Sequence, residues 1–561
     1  MTRRASPVEL GKPRLLPATV ASLAGAGYFL WLAGWRVALP VEYEWAMKYD
    51  WRIHFLGWHL FRGEPWSWPP GLVSGYYHAP DGTSIGYTDS LPIIALPLKP
   101  LSPFLPMPMQ YLGAWIAACF AAQGWWGARL AALWTPSAAV QSCVGLLLVL
   151  TPVLLNRAVH PALCAQWLLL WALWLYLKWQ PRDPVPVRSM AVLGGVSGLI
   201  HPYLAVMVLA MLAALAVRVL IQAPGSSKPR GIFGMVTAGL LILAGWWASG
   251  MFIVPGSAMA RPGLGVFSMN VLAVITPTGW SAFMPSIPLG AGGQDFEGFE
   301  YLGLGLLTVV VIGVLLSVRS MSAGRVLALL PLLVLCGVLA VYSLSPRITV
   351  ADRVLVDFSS PALTRLAIFG VTGRFFWPAE YTLIVLAVGA ILRELSTRQA
   401  GLLLTVAIAI QLADLRPAYA NRLALTRRPD FQTWPAAPKS PVWAAALPHY
   451  DHLVLVYPLQ CGPAPVTFEL PAFLAGLYGL TVNVGEVARA SEPARARYCA
   501  DLERALTGGQ IDDRTMYLVH PDNEARLRAN APNLLCGTID RIRACVTARS
   551  YQAWRDAAPF E

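Results

Sequence analysis

Five stretches of the sequence carry side chains whose types and spacing could do acid–base or phosphate chemistry. The first is Tyr49-Asp50-Trp51-Arg52-Ile53-His54-Phe55-Leu56-Gly57-Trp58. Asp50 and His54 are four residues apart and so share one face of a helix. Such a pair can act as a general base with its orienting partner, or as two ligands of a divalent metal. A carboxylate at that place also suits the positive end of a helix dipole. Apolar residues at 53, 56, 60 and 61 predict a helix lying on a membrane surface. The second stretch, Tyr87-Thr88-Asp89-Ser90-Leu91-Pro92, puts a carboxylate where the chain turns apolar again. Asp89 is a candidate for catalysis there, and an N-cap is the structural alternative.

The third and fourth stretches are Gly265-Val266-Phe267-Ser268-Met269-Asn270 and the run from Gly293 to Gly303, which holds Asp295, Glu297 and Glu300. Glycines alternating with aromatics and acids suit a binding loop for a polar ligand with flat faces, such as a sugar. Asn270, Glu297 and Glu300 are therefore substrate-binding candidates, with a turn-rich connector as the plain reading. In the fifth, Gly373-Arg374-Phe375-Phe376-Trp377-Pro378, Arg374 precedes an apolar run that contains Glu380. A planar guanidinium there can hold a phosphate bidentately, or anchor the chain at the headgroup level beside Trp377. His160 and His201 each precede a proline at the edge of an apolar segment, where histidine often caps a helix; His201 is also carried as a ligand-binding candidate. No Walker pattern occurs and no Gly-x-Gly-x-x-Gly follows a strand, which removes a cytoplasmic nucleotide site.

The elements that must position these residues follow from composition. The 561 residues are 56% hydrophobic and 13% charged, with mean hydropathy +0.54. Soluble chains carry about 25% charged residues, so a wholly soluble protein is excluded, as are disorder and collagen. Apolar runs predict about 11 membrane spans, near 15–39, 108–128, 137–156, 162–179, 189–200, 203–221, 231–254, 301–318, 326–345, 377–393 and 399–415. The fifth is short and forms a bent pair with the sixth. The proline-broken stretch 91–105 reads as interfacial or re-entrant. The net charge of +12 does not point to nucleic acid, because the bases lie scattered between apolar segments as topology signals and headgroup contacts.

Arg3, Arg4, Lys12 and Arg14 place the N-terminus in the cytoplasm, and bases at 178–188, 218–230, 319–325 and 393–398 fall on the same side by alternation. The N-terminal run is longer than a signal h-region and reads as an uncleaved anchor. Of the inner charges, Glu9, Asp183 and Glu394 are the acids. Glu42, Glu44, Asp50, Glu64, Asp81, Asp89, Asp295, Glu297, Glu300, Asp352 and Asp357 gather in the outer loops 40–107, 255–300 and 346–376. The histidines at 54, 59, 78, 160, 201, 449, 452 and 520 also fall outside or at the outer boundary. Any chemistry is therefore extracytoplasmic.

The chain divides into a membrane domain, 1–415, and a more polar tail, 416–561, which opens on a linker with Pro429, Pro435, Pro438 and Pro441. Strands over 452–457, 480–484 and 514–519 alternating with helices over 471–478 and 494–506 predict a small α/β domain. Cys461, Cys499, Cys536 and Cys545 all lie in this tail. Their even number, in a domain placed outside, predicts disulfides between sequence neighbours, Cys461 with Cys499 and Cys536 with Cys545. Zinc is disfavoured there because no C-x-x-C occurs.

The segments Asp50-x-x-x-His54-Phe55-Leu56-Gly57-Trp58, Tyr87-Thr88-Asp89-Ser90, Ser268-Met269-Asn270, Gly293–Gly303 and Gly373-Arg374-Phe375-Phe376-Trp377-Pro378 resemble a family of uncharacterised bacterial multi-pass membrane proteins. That family is similar to the GT-C glycosyltransferases, which use polyprenyl-phosphate-linked sugars. The resemblance implies a GT-C-like helical bundle in the bacterial inner membrane. It implies a donor on a polyprenyl phosphate, a glycan or lipid acceptor, an acidic base after the first span (Asp50, with Glu42 and Glu44 as alternatives) and a basic residue for the lipid phosphate (Arg374). The twin acidic pair of the superfamily is missing, and Gln166 stands where a second histidine after His160 is expected. The cofactor is open, with a divalent metal as one option. A non-enzymatic envelope-assembly scaffold or a transporter component is the rival; ionisable residues deep in the spans, which transport needs, are scarce.

Overall fold

The computed structural model describes residues 15–77, 81–254, 263–320, 322–462 and 467–561. Arg3, Arg4, Glu9, Lys12, Arg14 and His78 lie outside the described residues, as do 255–262 of the second long loop. The membrane part is helical. Among the described residues, five helical stretches are long and apolar enough to cross a membrane: Leu16–Ala33, Pro202–Gln222, Gly225–Ala248, Ala323–Ser343 and Gly373–Glu394. Two bent pairs, Ala138–Val149 with Pro152–Val159 and Thr397–Asp414 with Arg416–Thr426, raise the number to seven if each is one span.

About 11 spans is therefore not supported, and the reason is length. The run 162–179 folds as a 3-10 turn, Pro161–Cys164, followed by a helix of only 12 residues, Trp167–Lys178. The run 189–200 likewise yields the 12-residue helix Val187–Gly198. At 1.5 Å per residue, 12 residues rise roughly 18 Å, well short of a ~30 Å hydrocarbon core. The run 301–318 gives the shorter apolar helix Leu304–Val318. Leu112–Ala131 has 20 residues but is diluted by Gln123, Arg129 and three tryptophans. It packs closely on a neighbouring helix: a Cβ on its Gly124 would stand 2.3 Å from the carbonyl oxygen of Ala21. That close approach to the helix Leu16–Ala33 needs a residue without a side chain.

The three long loops and the tail meet in one layer at the same end of the bundle. Val271 donates its N–H to Thr349 O at 3.0 Å, Gly373 to Phe267 O at 3.0 Å, and Gly86 to Ser249 O at 3.1 Å. The first loop holds the two-residue strands β1 (Leu72–Val73) and β2 (Thr83–Ser84); the third holds the antiparallel hairpin of β3 (Arg347–Val350) and β4 (Arg353–Asp357).

The tail carries a five-stranded sheet of β5 (His452–Val456), β6 (Thr481–Val482), β7 (Thr515–Val519), β8 (Leu534–Ile539) and β9 (Ile542–Thr547), in the order β6-β5-β7-β9-β8. β5 is parallel to β6 and β7; β9 is antiparallel to β7 and β8. Helices Glu469–Tyr478, Glu492–Thr507 and Pro521–Asn530 connect the strands. The β8–β9 hairpin, absent from the sequence reading, turns on Asp540 and Arg541, both at positive φ (46° and 72°), as a two-residue hairpin of right-handed twist requires. Disulfides join Cys461 to Cys499 and Cys536 to Cys545, the latter pair directly opposite in the hairpin register.

The tail is docked on the first long loop. Arg52 pairs with Glu469 at 2.8 Å and with Glu486 at 3.2 Å. His59 Nε2 lies 3.0 Å from Phe473 O, and Val482 donates to Gly75 O at 2.7 Å.

Candidate functional site

A cavity of about 410 Å³ lies where the loops, the tail and two of the apolar helices converge. Val206 of Pro202–Gln222, Trp246 of Gly225–Ala248 and Phe252 form an apolar wall. Asp89, His160, His201, Glu297 and Arg374 form an ionic end, and Ala488 and Arg489 of the tail complete the lining.

Asp89 sits in a tight turn at φ 50°. The turn is pinned: Thr88 and Ser90 hydroxyls lie 2.8 Å apart, and Ser90 Oγ donates to His54 O at 3.0 Å. Gly57 makes this possible, because a Cβ there would fall 2.2 Å from Thr88 Oγ1. The next helix is capped at Leu91, not by Asp89 or Ser90. Asp89 faces two imidazoles, with Oδ2 3.6 Å from His160 Nε2 and Oδ1 3.7 Å from His201 Nε2. Each histidine is delivered by a His-Pro step just before a helical turn; His201 caps its helix by accepting the Tyr203 N–H on Nδ1 at 3.3 Å.

Glu297 is the electrostatic centre of the ionic end. It accepts from Arg374 Nε at 2.9 Å and Nη2 at 2.7 Å, and from Arg157 Nη1 at 2.7 Å. Burial alone would raise its carboxyl, but Arg157 and Arg374 pull it down to about 2. Arg374 also stacks on the Tyr203 ring, 4.9 Å from its centroid. Beneath this layer the Glu300 carboxyl meets Glu380 and Trp377; burial, and Glu380 beside it, push Glu300 well above the carboxylate range. Glu300 is fully buried and does not line the cavity.

Asp50 does not line the cavity but is half-exposed and within electrostatic reach of Glu297 and Arg374. Burial, reinforced by Glu297 and Glu486, raises its carboxyl. It occupies the N-cap position of Trp51–Phe61 but makes no capping bond with its side chain. The expected Asp50–His54 partnership runs through the backbone: His54 Nδ1 lies 2.9 Å from Asp50 O. His54 is buried, which lowers it to about 4, and its ring lies edge-on to His160 with centroids 4.8 Å apart. Asn270 clasps two loops, donating to Thr349 Oγ1 at 3.0 Å and Ala351 O at 2.9 Å, and accepting from Leu272 N at 3.0 Å. It is not part of the cavity lining. Gln166 is buried against Tyr381, whose hydroxyl donates to it at 2.5 Å.

The structure thus brings Asp89, His201, Glu297 and Arg374 together, and sets Asp50 and His54 beside them. Arg157 and His160 complete the group, and sequence reasoning gave neither a site role. The signal for His160 was present in the repeated His-Pro step; Arg157 carried none.

No curated protein matches the chain. Residues 22–416 match the family described as Domain of unknown function (DUF6311), and residues 442–547 match the DUF6311 C-terminal domain. The chain belongs to the DUF6311 family.

Proposed function

We propose that this protein is a membrane glycosyltransferase that moves a sugar from a polyprenyl-phosphate donor to a cell-envelope glycan or lipid. In this reading the reaction takes place on the outer face of the bacterial inner membrane, with a cytoplasmic N-terminus and an extracytoplasmic tail. The observation that carries it is the two-sided cavity: apolar helices on one wall and Asp89, His160, His201, Glu297 and Arg374 at one end. A ligand with a long apolar chain joined to a charged, polar head matches that division.

The chemistry divides among the chain's own residues. The acceptor hydroxyl attacks the anomeric carbon while Asp50 takes its proton, a role favoured by a raised carboxyl. The bond from that carbon to the phosphate oxygen breaks, and the lipid phosphate leaves with the electron pair. Arg374, held by Glu297 through Nε and Nη2, turns Nη1 to the departing phosphate. The anionic surroundings favour the oxocarbenium-like sugar between them.

The test is a lipid extract of a deletion strain. Polyprenyl-phosphate sugar should accumulate and disappear on complementation. An unchanged lipid profile, with an envelope defect that the Asp50→Asn protein fully restores, would favour a scaffold.

A further inference from the structure

Asp89, His160 and His201 each offer one candidate ligand atom within 4.8 Å of the others. The imidazole Nε2 atoms stand 3.6 and 3.7 Å from the two Asp89 oxygens, too far for good hydrogen bonds. Two ligands bound at ~2.1 Å and a tetrahedral angle stand roughly 3.4 Å apart, so small shifts would fit all three around an ion.

The surrounding hydrogen bonds leave the tautomer of His160 free and must change at His201. His54 Nδ1 donates to Asp50 O, which leaves its Nε2 as a bare acceptor, buried without a hydrogen-bond partner among the described residues. The neighbouring His160 has a buried Nδ1, also without a partner among them. A proton on His160 Nδ1 leaves its Nε2 lone pair facing the Asp89 carboxylate, an arrangement that a cation relieves. His201 would shift its ring proton from Nε2 to Nδ1, exchanging a 3.3 Å cap for a coordinate bond.

We propose that Asp89, His160 and His201 bind one divalent cation, with the remaining coordination positions open to the cavity. Two imidazoles and one carboxylate select a borderline ion, Zn2+ before Mg2+ or Ca2+. Arg374 and Arg489 line the same cavity. Their charge opposes a bare cation and favours an anion that bridges ion and guanidinium. The site itself stands on the three side chains; that this anion is the donor's phosphate rests on the function proposed above.

The test uses full-length protein without a histidine tag, purified in detergent, stripped with chelator and re-equilibrated with Zn2+, Co2+ or Mg2+. The tail cysteines are paired in disulfides and do not compete. One Zn2+ per chain is expected by elemental analysis, with visible ligand-field bands for Co2+ and binding of Mg2+ at least about 100-fold weaker. Asp89→Asn and His160→Ala should each weaken Zn2+ binding by at least about 100-fold, while His520→Ala leaves it unchanged. Matching melting curves of the ion-free proteins would separate this loss from unfolding. A wild-type chain that retains no ion, or an ion held equally well by both variants, overturns the site. A wild-type chain that binds zinc but transfers no sugar counts against the transferase reading alone.

Discussion

Glu297 grips Arg374 with both carboxylate oxygens, at 2.9 and 2.7 Å, and takes a third bond from Arg157 at 2.7 Å. Glu297→Gln would leave two buried guanidinium groups side by side without their shared counter-charge. It should cost about 3–5 kcal/mol, read as a lowered unfolding midpoint in detergent. The pH dependence has a definite sign. The folded value of about 2 lies below the ordinary 4.5, so the stabilisation is fully present above pH 4.5 and is lost as pH falls towards 2. Acid should therefore destabilise wild type across that window, and the Glu297→Gln protein less steeply.

Asp50→Asn separates chemistry from stability. Its carboxylate forms no capping bond, so the exchange should leave the unfolding midpoint within about 0.5 kcal/mol of wild type. Transfer in a complementation assay should nevertheless be abolished. A fully active Asp50→Asn protein removes the base assignment.

Arg374→Ala should weaken donor binding as well as turnover, because it removes the guanidinium edge that meets the phosphate. Binding of a labelled polyprenyl phosphate sugar is the measurement. The companion Arg374→Lys keeps the charge but not the fork, and should recover only part of the affinity.

The Cys461–Cys499 link closes a separation of 38 residues and the Cys536–Cys545 link one of 9. Replacing Cys461 and Cys499 by serine should cost the tail about 2–4 kcal/mol, and the short link less. Tail melting in oxidising buffer checks the ranking. Labelling of all four thiols in folded protein would refute both links.

Arg52→Ala should loosen the tail without unfolding it. The arginine bridges Glu469 and Glu486 and lies over the Phe468 ring at 5.2 Å, partly exposed. The loss is about 1 kcal/mol, visible as faster proteolysis of the linker around Pro429–Pro441.

What could be read in advance depended on how local the signal was. The strands over 452–457, 480–484 and 514–519 carried their own short apolar, β-branched runs and formed β5, β6 and β7. The β8–β9 hairpin was missed because Asp540-Arg541 lacks the glycine or asparagine that advertises such a turn. Apolar runs announced a membrane protein, yet hydropathy could not tell a span from Trp167–Lys178, which is buried by neighbouring helices. The spacing of Asp50 and His54 fixed their common face, but not that His54 would choose the backbone oxygen. Asp89, His160 and His201 lie on three separate segments, so only the packed chain brings them to one ion-sized gap.

Ala488 and Arg489 come from the tail, whereas Val206 and Trp246 come from apolar helices, and all four line one cavity. Whatever fills that space touches both domains at once. By thermodynamic linkage, an occupant then tightens the seating of the tail by the same factor as the seated tail tightens the occupant. Ligand occupancy and domain closure are two readings of one equilibrium, so mobility of the tail becomes a reporter of the cavity's contents.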